Sequence, residues 1–171
     1  ELFNGENLDN WVFYTEQEGV EPEEVFWAAG GVIHTSGVPH AYIRTAESYD
    51  NYRLHLEWRW VEEPTNSGVL IHVGGEEMIW PNCVECQLMH ERAGDLVLMG
   101  KGAGITVGDS VYMVTSEENR YKVIPKFEDS SENPPGEWNS YDILSDNGSL
   151  EVRVNNVLQH EGTGMTPTGG H

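Results

Sequence analysis

The segment Trp80 to Gly100, WPNCVECQLMHERAGDLVLMG, holds the residues best suited to chemistry. Successive side chains of an extended strand alternate, so Glu85 and Gln87 share one face while Val84, Cys86 and Leu88 take the other. A carboxylate and an amide two residues apart on a rigid strand can hydrogen-bond a polar ligand, and the carboxylate can also move protons. Glu57 and Arg59 alternate with the apolar Leu56, Trp58 and Trp60 in the run Tyr52 to Trp60, which places them on a wet face. His72 shares its face with Leu70, and His90 falls by parity with Val84 and Leu88 unless the strand ends before it. His72, Glu85 and His90 are also the residues that would ligate a divalent metal, if one is used; no cofactor is otherwise evident. Each has a structural alternative. Glu85 can be merely solvated, Glu57 and Arg59 can pair with cross-strand charges, and His72 can be a hydrogen-bonded core histidine.

The elements that must hold these residues read as strands. Most segments follow period two, bounded by Gly, Pro, Asn and Asp, and no long amphipathic helical pattern occurs. The clearest strands are Tyr52 to Trp60, the run around Val69, Ile71 and Val73, and the Glu85 strand. Further candidates are Trp11 to Tyr14, Val25 to Trp27, Val32 to Thr35, Ala41 to Arg44, Leu96 to Met99, Tyr121 to Ile124, Trp138 to Leu144, Leu150 to Val154 and Val157 to His160. Asp146-Asn147-Gly148 and Asn155-Asn156 sit where tight hairpins would turn, which makes the last three strands a meander. Gly100 to Asn119 and Lys126 to Glu137 read as long loops, of the kind that rims sites on β scaffolds. The expectation is one all-β domain over residues 1–171, an antiparallel β-sandwich of jelly-roll type.

Composition narrows the partners. Nine Lys+Arg against 29 Asp+Glu give a net charge of −20, which repels phosphate backbones and anionic lipid. Nucleic acid is therefore excluded as a partner, and no apolar run is long enough to insert into a membrane. The chain opens at Glu1 without a Met or an apolar leader, so any signal peptide lies outside it. Cys83 and Cys86 point to opposite faces of a strand and read as packing residues rather than a disulfide or the start of a zinc site. No feature specifies an oligomeric state.

Several phrases in order carry a resemblance: LFNG-x-x-L-x-x-W at Leu2 to Trp11, NSGVLIHV at Asn66 to Val73, WP-x-x-x-E-x-Q at Trp80 to Gln87, AGD at Ala93 to Asp95, PGEWN-x-Y at Pro135 to Tyr141, and VNNVLQHEGTG at Val154 to Gly164. Together they resemble the 3-keto-disaccharide hydrolase domain family, whose fold is similar to the concanavalin A-like lectin and glucanase sandwich. The resemblance implies a bacterial, extracytoplasmic protein, periplasmic or secreted, with a carbohydrate ligand. It departs from the family at His72 and His90, where Arg and Asp are frequent. It also implies a final strand beyond His171, without which a sheet edge would be exposed.

Laminarinase-like glucanases carry their acids as E-x-D-x-x-E on one strand, and the same register here reads Glu85, Gln87, His90. The nucleophile and acid pair of a retaining glycosidase is thus absent from this strand, and two-carboxylate hydrolysis survives only if Glu57 supplies the partner. A ketone at C3 offers another route: it acidifies the C2 proton, a base removes that proton, and the C1 substituent leaves. Glu85 is the expected base, His72 or His90 the acid, Gln87 and Arg59 the donors, with Glu57 lining the site and Trp80 stacking on a sugar ring. The rival class is a lectin-like glycan-binding module without catalysis.

Overall fold

The computed structural model describes residues 1–171. In chain order its elements are β1 (Trp11–Thr15), α1 (Pro22–Val25), β2 (Phe26–Ala29), β3 (Val32–Thr35), β4 (Ala41–Thr45), β5 (Tyr52–Trp58), β6 (Gly68–Gly74), β7 (Asn82–Gln87), β8 (Leu96–Met99), β9 (Gly104–Val107), β10 (Ser110–Met113), β11 (Tyr121–Ile124), β12 (Asn139–Asp146), β13 (Ser149–Val154) and β14 (Val157–Thr166). No helix is long and apolar enough to cross a membrane.

Two antiparallel sheets form the sandwich. One has six strands in the order β10-β9-β14-β13-β12-β5, and the other has four in the order β11-β8-β7-β6. Between them lies one apolar core, with Ile71, Val84, Cys86, Leu96 and Leu98 from the four-stranded sheet against Tyr141, Ile143, Leu150, Val152 and Val154 from the six-stranded one. Each fully buried aliphatic side chain stabilises the fold by about 1.5–3 kcal/mol relative to exposure. Tyr141 adds a polar tie across this core: its hydroxyl donates to Gln87 O at 2.8 Å and accepts from Gly94 N at 2.6 Å. The expected β-sandwich is therefore the architecture found.

The small pairs β1-β4 and β2-β3 lie outside the two main sheets. The first anchors the loop between β6 and β7, since Arg44 Nη2 meets Glu77 Oε1 at 2.6 Å and Tyr14 Oη donates to Glu77 O at 3.1 Å. Tyr42 donates to the same carboxylate.

Four local expectations change. Gly100 to Asn119 is not a plain loop, because β9 and β10 pair across a turn at Gly108-Asp109, with Gly108 at φ 56°. Val25 ends a helical turn instead of opening a strand; Pro22 starts that turn, and Glu21 and Glu24 cap it reciprocally. β14 runs on to Thr166, bulging as it pairs with both β13 and β9. An exposed sheet edge was expected, yet at the edge strand β6 the end is partly covered: His171 exchanges two backbone hydrogen bonds with Val73, at 3.0 and 3.1 Å.

Candidate functional site

β7 places Glu85 between Leu70 of β6 and Val97 of β8, its register partners. The alternation holds, because Val84 and Cys86 enter the core while Glu85 points to the opposite face. That face is not wet. Val73, Cys83, Val97 and Met99 form a second apolar cluster on it, with Leu70 packed alongside, and Glu85 is 8% exposed. The carboxylate makes no hydrogen bond or ion pair, and burial alone pushes it up from 4.5 to about 7. Gly68 provides its seat, since a β-carbon there would overlap Glu85 Oε1. Sequence reasoning missed this contact; the cue that could have found it is a glycine within a strand, which signals close approach.

Gln87 lies two residues on. Its Oε1 accepts from Leu88 N at 2.9 Å and Met89 N at 2.8 Å, which fixes the amide and leaves its nitrogen unengaged. Trp80 precedes the strand, 56% exposed, with its indole edge-to-face on His40 at 5.9 Å.

The remaining expected site residues lie elsewhere. A bulge between Ile71 and Gly74, with His72 at φ 55°, turns the His72 ring toward the six-stranded sheet. There Nε2 bonds Ser145 Oγ at 2.9 Å, the ring packs on Tyr52 at 5.4 Å, and burial lowers its pKa. Its Nδ1 has no partner. His90 lies past the end of β7, where Nδ1 meets Glu132 Oε2 at 3.3 Å. Glu132 also accepts from Ala93 N at 3.0 Å, and its loop is joined to β13 through Ser131 Oγ donating to Val154 O at 2.9 Å. His90 thus braces the 126–137 loop.

Glu57 and Arg59 are a correction of sheet, not of parity. β5 pairs with β12, so Glu57 sits opposite Ser140 on the exposed face of the six-stranded sheet, away from Glu85. Arg59 stacks its guanidinium on Trp138, 4.9 Å from the ring centroid. Neither completes a site with Glu85. Glu57, the partner expected to complete a glycosidase pair with Glu85, thus lies on the other sheet. His72, Glu85 and His90 are not gathered into a ligand set, and no group of three His, Cys, Asp or Glu side chains is placed to hold a metal ion.

The site therefore comprises one carboxyl poised near neutrality on an apolar sheet face, an adjacent fixed amide and an exposed indole. It can accept or return one proton and donate one hydrogen bond, and it does not include Glu57, the second carboxylate that a two-carboxylate displacement was expected to use.

Comparison with known proteins agrees with this architecture. Two crystal structures of candidate glycosyl hydrolases from Parabacteroides distasonis ATCC 8503 superpose on the chain. One has a TM-score of 0.66 at 24% identity, covering 98% of this chain and 72% of its own. The other has a TM-score of 0.61 at 25% identity, covering 95% and 70%. No curated protein matches the chain. The profile of the 3-keto-alpha-glucoside-1,2-lyase-like domain matches residues 1–171, and the chain belongs to that family of carbohydrate-active domains.

Proposed function

We propose that the protein cleaves 3-keto-glycosides by elimination across C1 and C2, with Glu85 as the base. The observation that carries this reading is the isolated Glu85 carboxyl, held at about 7 by burial among apolar side chains. A carboxylate with a pKa near the working pH is the stronger base, and its conjugate acid can still return the proton. In the reaction Glu85 takes the C2 proton, the electron pair forms the enolate on the C3 oxygen, and the C1–O bond breaks as that enolate collapses. The Gln87 amide nitrogen is the donor available to the developing oxyanion. The protonated Glu85 delivers its proton to the departing oxygen, since His72 and His90 are engaged elsewhere, with Ser145 and Glu132. Addition of water at C1, with a proton returned to C2, then completes net hydrolysis.

The test is aglycone release from p-nitrophenyl 3-keto-glucoside, comparing the wild type with Glu85→Gln. Loss of a general base predicts a fall of about 10²–10⁴-fold. Retention of activity within tenfold would refute the assignment. A glycan-binding role is the second reading, favoured by the exposed Trp80 and Tyr121; sugar binding by the wild type with no turnover would establish it. The same proposal extends to an extracytoplasmic location, which fractionation of the source bacterium tests.

A further inference from the structure

A cleft of about 190 Å³ lies at the far end of the four-stranded sheet, where β7 begins and β11 approaches. Arg120, Asn82, Lys101, Glu76, Glu117 and Met78 line it; Glu85 does not. Most lysines and arginines of this acidic chain carry a carboxylate, but Arg120 has none. Its guanidinium is poorly satisfied: Nη1 contacts Met78 Sδ at 3.2 Å, Nη2 reaches Asn82 Oδ1 only at 3.4 Å, and the buried Nε has no partner. An arginine left short of acceptors gains by meeting a ligand oxygen. Asn82 is held beside it, because its side chain lies over Gly100, whose φ of 85° and missing β-carbon leave the room.

From this geometry we infer that Arg120 and Asn82 form a second sugar site, which takes a neutral pyranose ring. The inference rests on the carbohydrate reading above. Two cations, Arg120 and Lys101, balance two anions, Glu76 and Glu117, in the cleft, and Lys101 already pairs with Glu117 at 3.7 Å. A balanced lining within a chain of net charge −20 selects a neutral polyhydroxylated ligand over an anion. The guanidinium and amide lie side by side, as adjacent ring hydroxyls require, and Met78 supplies an apolar surface for ring C–H groups. The volume is below the roughly 300–1,000 Å³ of drug-sized pockets and suits a single ring. Asn82 precedes Glu85 by three positions on β7, so strand alternation turns it to the face opposite Glu85, and the cleft is a site separate from the Glu85 carboxyl.

The test titrates ¹⁵N-labelled protein with cellobiose, maltose, sophorose and laminaribiose, with glucuronate as the anionic comparator, and follows the Arg120 Nε–H and Asn82 side-chain resonances. Both are expected to shift with at least one neutral disaccharide, and Arg120→Gln and Asn82→Ala should each weaken that binding about tenfold, with dispersed spectra verifying their folds. Absence of shifts with every neutral sugar, shifts with glucuronate alone, or unchanged affinity in both variants would overturn the site. Glu85→Gln, titrated in parallel, keeps the two readings apart. Arg120 shifts that persist while Glu85→Gln retains full turnover would refute the catalytic assignment and leave the second site standing.

Discussion

Replacing Glu85 with glutamine should make the protein more stable, and increasingly so as the pH rises. Glutamine keeps the shape of the protonated side chain and removes its ability to ionise among Leu70, Cys83 and Val97. The folded carboxyl titrates at about 7 against 4.5 for a free one. Below 4.5 both folded and unfolded chains hold the proton and nothing is lost. Between 4.5 and about 7 the unfolded chain releases a proton that the folded chain keeps, so wild-type stability falls with rising pH, and the loss levels off above about 7. At about 1.36 kcal/mol per pH unit the full interval corresponds to about 3 kcal/mol, most of it accruing between pH 5 and pH 8. For a chain of this size that is about 6–12 °C in Tm. Urea unfolding of both proteins across this range measures the gap directly. A stability difference that stays constant from pH 5 to pH 8 would refute the idea that burial holds this carboxyl protonated, and with it the basis for its role as a base.

Gly68→Ala should displace the Glu85 carboxylate from its seat, lowering kcat/KM at least about tenfold while the Glu85 pKa drifts back toward ordinary values, as ¹³C NMR of labelled glutamate would show. Tyr141→Phe removes the hydroxyl shared by Gln87 O and Gly94 N and leaves buried backbone groups short of a partner; chemical unfolding should register a loss of about 1–3 kcal/mol. His72 and His160 are both buried, and burial lowers the pKa of each, for His160 outweighing the hydrogen bonds to the Ile124 and Pro125 carbonyls that favour its protonated form. Below about 6.5 the unfolded chain takes up protons that the folded one refuses, so stability should fall with acid. The Glu85 effect runs the other way in the same window, so the slope is best read in a Glu85→Gln background, where His160→Gln should flatten it.

Much of the fold was legible because its signals are local. β3, β8 and β11 begin and end where alternation and turn residues place them. The Asn147-Gly148 and Asn155-Asn156 turns adopt the positive φ values that those residue types tolerate. Pairing was less legible, because an alternating strand carries no mark of its distant neighbour: β5 joins β12, so that His55 and Asp142 meet across 87 positions, and Glu57 and Arg59 go with them to the wrong sheet for the expected site. His72 was misplaced by one bulge, since a single extra residue reverses parity beyond it. β9 and β10 were hidden by the glycines that surround them. For Glu85 parity chose the correct face, but the character of that face depends on Val73 and Met99, which other strands bring to it.

The division of the sandwich into sheets of unequal sequence range has a consequence for how the chain reaches its native state. β6, β7 and β8 follow one another by short connections and β11 joins soon after, so the sheet carrying Glu85 closes only small loops. The six-stranded sheet must wait for β12 to find β5 and for β14 to find β9, and such long-range closures are slow. The expected order of assembly is the Glu85 sheet first and its cover second, so during synthesis an apolar face stands open until about the last fifth of the chain, from Asn139 on, arrives. Pulsed hydrogen exchange should then protect the amides of β7 and β8 before those of β12; the reverse order would contradict it.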